Sequence, residues 1–363
     1  MFCVNYYKSG KKKVNHLKKL LELFPSAPWH WDFVSNNSNI TWEIVRDNPS
    51  LPWDWSCLSS NPSITWEIVR DNPDKPWDWD ELSSNPNMTW EIIQKNMNKP
   101  WNWNNLSKNS NVATWEFINK HLDKPWNWHS LSINPVTWEI LNKYPDKPWD
   151  WEYLSMNPNI TWEIIRDNLD KPWNWYYLSM NPNITWEIVR DNPSLPWEWN
   201  WFTFNSNVTW EIIKDNPDKP WNYNWYRISA NSKITTWEIV CNHPNIPWDW
   251  ERLSKNLNIT RKIINNHLDK PWDWDELSKN PSVATWEFVN KHLDKPWDWE
   301  GLSENPNVVT EEIITDNPHI PWRWDALSAN PNITWKIVKD NPDKPWLWWE
   351  LSINKFSKFA YSK

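Results

Sequence analysis

Carboxylates recur along this chain in a pattern that could support acid–base chemistry. A Glu follows a Trp, or the residue that replaces it, in eleven units, as at Glu43, Glu67 and Glu91. Two carboxyl groups held at a fixed separation can share the roles of general acid and general base. Repetition in eleven units indicates instead that each Glu lies in the first turn of a helix, where the dipole favours an acid. We therefore expect no catalytic residue in this row.

Histidines could hold a metal, but their spacing does not support a metal site. Four of the eight histidines replace an Asn that otherwise ends a short helix. They are His121, His243, His267 and His292. No two of them lie at ligand spacing on one helix. The sequence therefore predicts helix ends at these positions and no metal.

Glycine and cysteine are both scarce. The two glycines, Gly10 and Gly301, are too few for the loops that cradle a phosphate, so no nucleotide cofactor is expected. The three cysteines, Cys3, Cys57 and Cys241, lie far apart, which is typical of free thiols in a reducing compartment. The N-terminal residues lack the apolar centre of a signal peptide, and no stretch approaches membrane-spanning length. We therefore expect a cytoplasmic protein with no cofactor and no membrane partner.

The residues described above belong to a sequence repeat, and the repeat predicts the secondary structure on which they lie. Pro-Trp occurs fourteen times between Pro28 and Trp346, most often at intervals of 24 residues. A period of this length is typical of a solenoid, in which each unit contacts its neighbours. The scarcity of glycine argues against the turns that repeated β-hairpins need. The sequence thus predicts an all-α solenoid of about 13 two-helix repeats of roughly 24 residues, with superhelical winding as an option.

One repeat, the segment from Ile64 to Asn85, shows the expected pair of helices. The first helix begins at Thr65, whose hydroxyl can cap the freed backbone amides, and it stops near Asn72, before a Pro. The second is expected to begin at Pro76, because the fixed φ of Pro suits a first helical position. Asn85 recurs as Asn in all fourteen copies, and we expect it to take the left-handed conformation of a C-terminal cap.

Three tryptophans in each repeat supply the burial that such short helices lack on their own. The Trp of the Pro-Trp pair, for example Trp77, is present in every copy. The second Trp, for example Trp79, is replaced in one copy only, by Tyr223. Both are therefore expected to be buried. The third, for example Trp66, gives way to a charged residue in two later copies, so we expect it to be half exposed.

The chain divides into three regions by composition. Residues 1–27 form a basic N-terminal segment whose amphipathic stretch, His16 to Phe24, is expected to be a capping helix. Residues 28–352 form the repeat solenoid, and residues 353–363 form a C-terminal cap or tail. The aromatic residues that could close this second end are Phe356, Phe359 and Tyr361. Because both ends are basic and the net charge is −8, the body is acidic, which disfavours a nucleic-acid partner.

A run of apolar residues in the middle repeats is the predicted binding surface. It occupies the most variable positions of the second helix, where Tyr153 and Met156 lie three residues apart on one helix face. Exposed aromatic residues and Met are typical of protein-binding surfaces. Packing of these side chains against a neighbouring turn or loop is the equally weighted alternative. The predicted partner-binding residues are Ile133, Tyr153, Met156, Tyr176, Tyr177, Met180, Trp201, Phe204, Trp225 and Tyr226.

The pattern N-P-N-I-T-W-E-I-V-R-D-N-P-D-K-P-W-D-W, clearest at residues 61–83 and 181–199, resembles the tryptophan-repeat family of entomopoxviruses and giant DNA viruses of amoebae. The resemblance covers residues 28–352. It implies a viral protein that acts in an infected cell, in the host cytoplasm or a viral factory. It carries over no catalytic residue and no defined activity.

We therefore expect a non-enzymatic scaffold for protein–protein interaction that engages a host or viral partner. The alternative is a structural component of the virion or viral factory, which would self-associate. An RNA reader would need basic residues along its groove, and this body is acidic. Glycan stacking on the half-exposed Trp row would be weak and multivalent.

Overall fold

A computed structural model describes residues 15–133, 136–221 and 225–356. Its regular elements there are twenty-eight short helices, and these described residues contain no strand. The helices alternate between the two kinds that the repeat predicts, giving fourteen pairs. The expected all-α solenoid of two-helix repeats is confirmed.

The first helices of the pairs are α1 (His16–Leu23), α3 (Trp42–Asp47), α5 (Trp66–Asp71), α7 (Trp90–Lys95), α9 (Trp115–Lys120), α11 (Trp138–Lys143), α13 (Trp162–Arg166), α15 (Trp186–Asp191), α17 (Trp210–Asp215), α19 (Trp237–Asn242), α21 (Arg261–Asn266), α23 (Trp286–Lys291), α25 (Glu311–Asp316) and α27 (Trp335–Asp340). The second helices are α2 (Trp31–Asn36), α4 (Trp55–Ser60), α6 (Trp79–Ser84), α8 (Trp103–Lys108), α10 (Trp128–Ile133), α12 (Trp151–Met156), α14 (Trp175–Met180), α16 (Trp199–Phe202), α18 (Trp225–Ala230), α20 (Trp250–Lys255), α22 (Trp274–Lys279), α24 (Trp299–Glu304), α26 (Trp324–Leu327) and α28 (Trp348–Ile353).

The first helix has the predicted bounds. In α15, Thr185 is the N-cap residue and Asn192 the C-cap residue. The hydroxyls of Thr65 and Thr185 do not cap the backbone amides, so the predicted hydroxyl cap is wrong at these positions. The Thr185 hydroxyl bonds the Glu187 carboxylate, and together with the Glu187 backbone N–H it holds the pKa of that carboxyl below its ordinary value. The same two causes lower the pKa of other glutamates in this position, namely Glu43, Glu67, Glu91, Glu163 and Glu211. Thr and Glu therefore act together at the start of these helices.

Lowering the pH is expected to destabilise the repeats by protonating these glutamates. A carboxyl whose pKa is lowered by folding adds stability that is fully present above its unfolded pKa of about 4.3. That stability is lost as the pH falls through the folded pKa, so the urea midpoint should drop between about pH 5 and pH 3. Thr185→Val should return the pKa of Glu187, followed by NMR, toward its ordinary value. An unchanged pKa would contradict the assigned cause.

The second helix begins later than predicted. Helix α6 starts at Trp79, and Asp78 caps it by accepting the N–H groups of Asp80 and Glu81 at 2.9 and 3.1 Å. Pro76 lies before the helix, in a tight turn closed by the Trp77 N–H, which donates to a carbonyl two residues back at 2.8 Å. The prediction that Pro76 starts the helix is wrong. The Asp or Asn between the two tryptophans was the capping signal.

The invariant Asn is not a left-handed cap. Asn181 has φ −62° and ψ 129°, which is extended backbone. Its side-chain N–H groups donate to the Ser155 and Asn157 carbonyls of the preceding repeat at 2.9 and 3.2 Å, and its oxygen accepts the Asn183 N–H at 2.9 Å. The prediction was wrong because the Asn side chain pairs with buried carbonyls that would otherwise lack a donor, and the extended backbone places it for that role. Asn here joins one repeat to the next.

A Ser and a Trp complete the contact between successive repeats. The Ser155 hydroxyl donates to the Trp151 carbonyl at 2.7 Å and accepts the Asn174 N–H at 2.9 Å. The Trp173 ring packs edge-on against the Trp151 ring, with centroids 5.0 Å apart. Its indole N–H donates to the Asn168 carbonyl at 2.8 Å. Every polar group named here is therefore paired within the fold.

The burial of the tryptophans follows the predictions in part. The Pro-Trp residues, such as Trp77, are buried as expected. Trp79 is only half-buried, because one face packs against Trp101 at 5.0 Å while the helix start faces solvent. Trp66 is half-buried as expected. Where Glu311 replaces this third Trp, its carboxylate bonds Lys336 instead, at 2.6 Å.

The chain forms two compact units, one made of Met1–Trp77 with Thr285–Lys363 and the other of Asp78–Ala284. In the first unit, α1 contacts α27 and α2 contacts α28. Helix α1, expected as a cap, has the place of a first helix in a repeat, because the Trp29 indole N–H donates to the Phe24 carbonyl after it. Phe356 is buried and stacks on His16 with centroids 5.8 Å apart. Residues 1–14, Phe359 and Tyr361 lie outside the described residues.

Candidate functional site

Most of the predicted binding residues lie on α12, α14, α16 and α18, the second helices of consecutive repeats in the unit Asp78–Ala284. Ile133 is the last residue of α10, and Phe204 lies two residues after the end of α16. Each of these helices buries its central Leu, Ile or Phe, as Leu154 and Phe202 do. Asp150 and Asn174 cap α12 and α14 by accepting backbone N–H groups. In α16, by contrast, Glu198 makes no side-chain cap. In all four helices the third residue is partly open to solvent.

The central predicted residues form one continuous set of ring contacts. Tyr176 packs against Tyr177 with centroids 4.6 Å apart and against Trp201 at 4.2 Å. Trp201 in turn packs against Phe204 at 5.5 Å. These distances are in the range of favourable aromatic pairs. The structure therefore brings residues of two repeats into a single apolar surface.

Arg227 extends this surface and was missed in the sequence. Its guanidinium carbon lies 4.4 Å from the centroid of Trp201, 4.6 Å from Phe204 and 5.2 Å from Tyr226. Its Nη1 also donates to the Asn200 carbonyl at 3.0 Å. These contacts are cation–π interactions that hold the side chain over the rings. We define the aromatic ridge as Tyr176, Tyr177, Trp201, Phe204, Tyr226 and Arg227.

A polar edge borders the ridge on the N-terminal side. The Tyr177 hydroxyl bonds the Glu152 carboxylate, which raises the pKa of Tyr177. Tyr153 packs edge-on against His129 at 5.0 Å, and the His129 Nδ1 contacts the Asp150 carboxylate. On the other side, the Arg252 guanidinium lies 5.8 Å from the Tyr226 ring. The surface thus has an acidic edge and a basic edge, with aromatic rings between them.

The exposure of the predicted residues varies. Ile133, Met156, Phe204 and Tyr226 are exposed, at 56, 36, 48 and 40%. The half-buried ones are Tyr153, Tyr176, Tyr177, Met180, Trp201 and Trp225. The structure places Trp225 away from the ridge rings, at the position of the second Trp of a repeat, where it packs against Trp248 at 5.6 Å. Phe204 and Tyr226 are therefore the most accessible rings of the ridge.

Grooves beside the third Trp of the repeats are a second feature of this unit. One groove, of about 550 Å³, lies between Trp237 and Trp250 and includes Cys241, His267 and Lys270. His267 packs against Trp237 with centroids 4.8 Å apart, so it fills part of the wall. The surface here is apolar with a cation at its rim.

The described residues provide neither a metal site nor a membrane span. Over the described ranges, 15–133, 136–221 and 225–356, no three His, Cys, Asp or Glu side chains cluster so as to hold a metal ion. In the same ranges no helix has both the length and the apolar character to cross a membrane. No protein family, no curated protein and no solved structure matches the chain. Function must therefore be inferred from the surface itself.

Proposed function

We propose that this protein is a non-enzymatic scaffold that binds a protein partner on the aromatic ridge. The observation that supports the proposal is the contiguous contact of Tyr176, Trp201, Phe204 and Arg227 over three repeats, with Phe204 exposed. Trp, Tyr and Arg are the residues that contribute most to protein interfaces. Soluble proteins seldom expose a contiguous set of large apolar side chains unless these side chains bind a partner.

Order within the ridge also favours binding. Arg227 is held by three rings and by the Asn200 carbonyl before any partner arrives. Side chains that are already fixed lose less conformational entropy when a complex forms. Among the described residues the Arg227 guanidinium contacts rings and a carbonyl, so an acidic or carbonyl-rich segment of a partner is a suitable occupant.

The cellular setting belongs to the same proposal. The resemblance of the repeat to viral tryptophan repeats favours a viral protein that engages a host or viral partner. Among the described residues Cys241 is an exposed free thiol, which is compatible with the cytoplasm of an infected cell. RNA is the competing ligand, since aromatic rings and Arg also stack on bases. The acidic body of the chain argues against it.

The proposal is tested by capture from host-cell lysate with the variant Phe204→Ser/Tyr226→Ser beside the wild type. Because both side chains are exposed, at 48 and 40%, their loss should leave the fold intact, which circular dichroism checks. We expect at least one captured protein to be reduced tenfold or more, since losing two hot-spot rings costs about 2 kcal/mol or more. Mass spectrometry with quantitative labelling gives the measurement.

Leu169→Ser/Leu257→Ser is the matched control, because it removes exposed apolar side chains of the same unit outside the ridge. It should capture the same proteins as the wild type. Ribonuclease treatment of the lysate separates the two ligand classes: captures that survive it are protein-mediated. Identical captures by the wild type and the ridge variant would refute the proposal, as would captures that all disappear with ribonuclease.

A further inference from the structure

The contact between successive repeats has a fixed set of partners. In the interior, the Asn174 N–H donates to the Ser155 hydroxyl at 2.9 Å. Asn181 donates to the carbonyls of Ser155 and Asn157, at 2.9 and 3.2 Å. Asn183 donates to a carbonyl of the preceding repeat, that of the residue after Asn157, at 2.7 Å. A pair of edge-on tryptophans lies beside these hydrogen bonds.

The same partners meet where the first repeat touches the last, within the unit that contains both chain ends. Asn37 donates to the Ser352 and Asn354 carbonyls at 2.8 and 3.1 Å, and Asn39 donates to the Lys355 carbonyl at 3.0 Å. The N–H of His30 donates to the Ser352 hydroxyl at 3.3 Å. Each of these hydrogen bonds has its counterpart in the interior contact.

Aromatic packing at the chain ends follows the interior pattern as well. Trp29 packs edge-on against Trp348 with centroids 4.9 Å apart and an interplanar angle of 77°. The interior pair Trp151 and Trp173 has 5.0 Å and 88°. Phe24 adds a contact with Trp348 at 5.3 Å. The first repeat therefore sits on the last one as any repeat sits on its predecessor, although no short linker joins them.

Such a contact is heterologous, because the two faces that meet are different surfaces of the repeat. Every copy of the chain carries both faces, one on its first repeat and the other on its last repeat. Heterologous contacts can join copies head to tail whenever the internal contact is open. The buried Asn37 amide makes the pairing selective, since it requires two carbonyls in the position that only a repeat supplies.

We propose that a second copy of this chain can replace the chain's own end at this contact, so that copies associate head to tail through Asn37 and Ser352. The proposal goes beyond the aromatic ridge and does not depend on it. In a single copy the contact is intramolecular, so it is favoured over contact with a second copy until the protein is concentrated. Exchange between copies is therefore expected where the protein is highly concentrated.

The test uses full-length chains in which Cys3, Cys57 and Cys241 are replaced by Ser. One variant carries Asn39→Cys and another carries Lys355→Cys, at positions that contact each other across the chain ends. A chain with both substitutions should form an internal cross-link with a short bismaleimide. An equimolar mixture of the two single variants should form a covalent dimer whose yield rises tenfold or more as concentration approaches about 1 mM.

Asn183→Cys provides the matched control for Asn39→Cys. Both positions donate to a carbonyl of the preceding repeat, but Asn183 is covered by its own chain. A mixture of Asn183→Cys with Lys355→Cys should give no dimer above the background of either variant alone. Absence of the internal cross-link, absence of the mixed dimer, or equal dimer in the control mixture would each overturn the proposal.

Discussion

Replacing Trp173 by Ala is expected to lower the free energy of unfolding by about 3–5 kcal/mol. The ring is 6% exposed and packs edge-on against Trp151 at 5.0 Å. Its indole N–H donates to the Asn168 carbonyl at 2.8 Å. The change therefore leaves a cavity and removes one of two donors to the Asn168 carbonyl, which keeps the Lys171 N–H at 3.1 Å, so the cavity accounts for most of the cost. Urea unfolding followed by far-UV circular dichroism measures the loss.

Trp162→Ala is the control from the same repeat. Trp162 is half-buried and lies 6.0 Å from the Trp197 ring in a tilted contact. Because this side chain already contacts water on one face, its removal should cost about half as much or less. Equal losses for the two variants would show that the Pro-Trp residue has no special part in the stack. A loss confined to Trp173→Ala would support the distinction.

The repeat architecture was predictable because it depends on periodicity and on local backbone chemistry. The Pro-Trp interval sets the repeat, and Thr185 and Asn192 mark the ends of a first helix in the sequence as in the structure. Substitution between copies also predicted that the third Trp position is half exposed, which is correct at Trp66 but wrong at Trp186 and Trp210, which are buried. Such features are carried by a few neighbouring residues, so one sequence suffices to infer them.

The role of the invariant Asn could not be inferred in the same way. Asn at a helix end fits a left-handed cap and an extended, hydrogen-bonding position equally well from sequence. The choice depends on whether carbonyls of another repeat approach the side chain, as those of Ser155 and Asn157 approach Asn181. That is a tertiary contact between residues more than twenty positions apart, and local propensity does not contain it.

An error of register explains why Arg227 was missed. The two-residue lengthening after Trp221 allowed Tyr223 to be taken as the second Trp of that repeat. The structure gives that position to Trp225, the first residue of α18, which packs against Trp248. Arg227 then follows two residues later, at the place that Trp201 has one repeat earlier. Correct alignment of the copies would have brought it into the predicted surface.

The contact between the first and the last repeat could not be predicted from the sequence either. The stretch His16 to Phe24 has the apolar pattern of a capping helix, and it could equally be the first helix of a repeat. What decides its place is contact with the far end of the chain, where α1 packs against α27 and the Trp335 N–H donates to the His16 Nδ1 at 3.3 Å. The hydrogen-bonding residues of the repeat are present in the sequence at both ends, so both contact faces could be predicted. The contact between the two faces could not.

Replacing Asn181 by Ala is the second large effect that we expect, a loss of about 3 kcal/mol in the free energy of unfolding. The substitution removes the donors to the Ser155 and Asn157 carbonyls and the acceptor for the Asn183 N–H. Asn181 is buried, so water does not readily replace them. Asn192→Ala, at the partly buried end of a first helix, removes one bond to Ile188 and should cost about 1 kcal/mol.

The Asn181→Asp variant tests the amide donor separately from the volume of the side chain. It retains an oxygen that can accept the Asn183 N–H, but an ionised carboxylate has no donor for the two carbonyls and places a charge against them. At neutral pH it should therefore destabilise the protein more than Ala does, by urea unfolding under the same conditions. If Asp is tolerated better than Ala, the side-chain volume and not the amide donor holds the repeats together, and the pairing of Asn37 at the chain ends loses its selectivity as well.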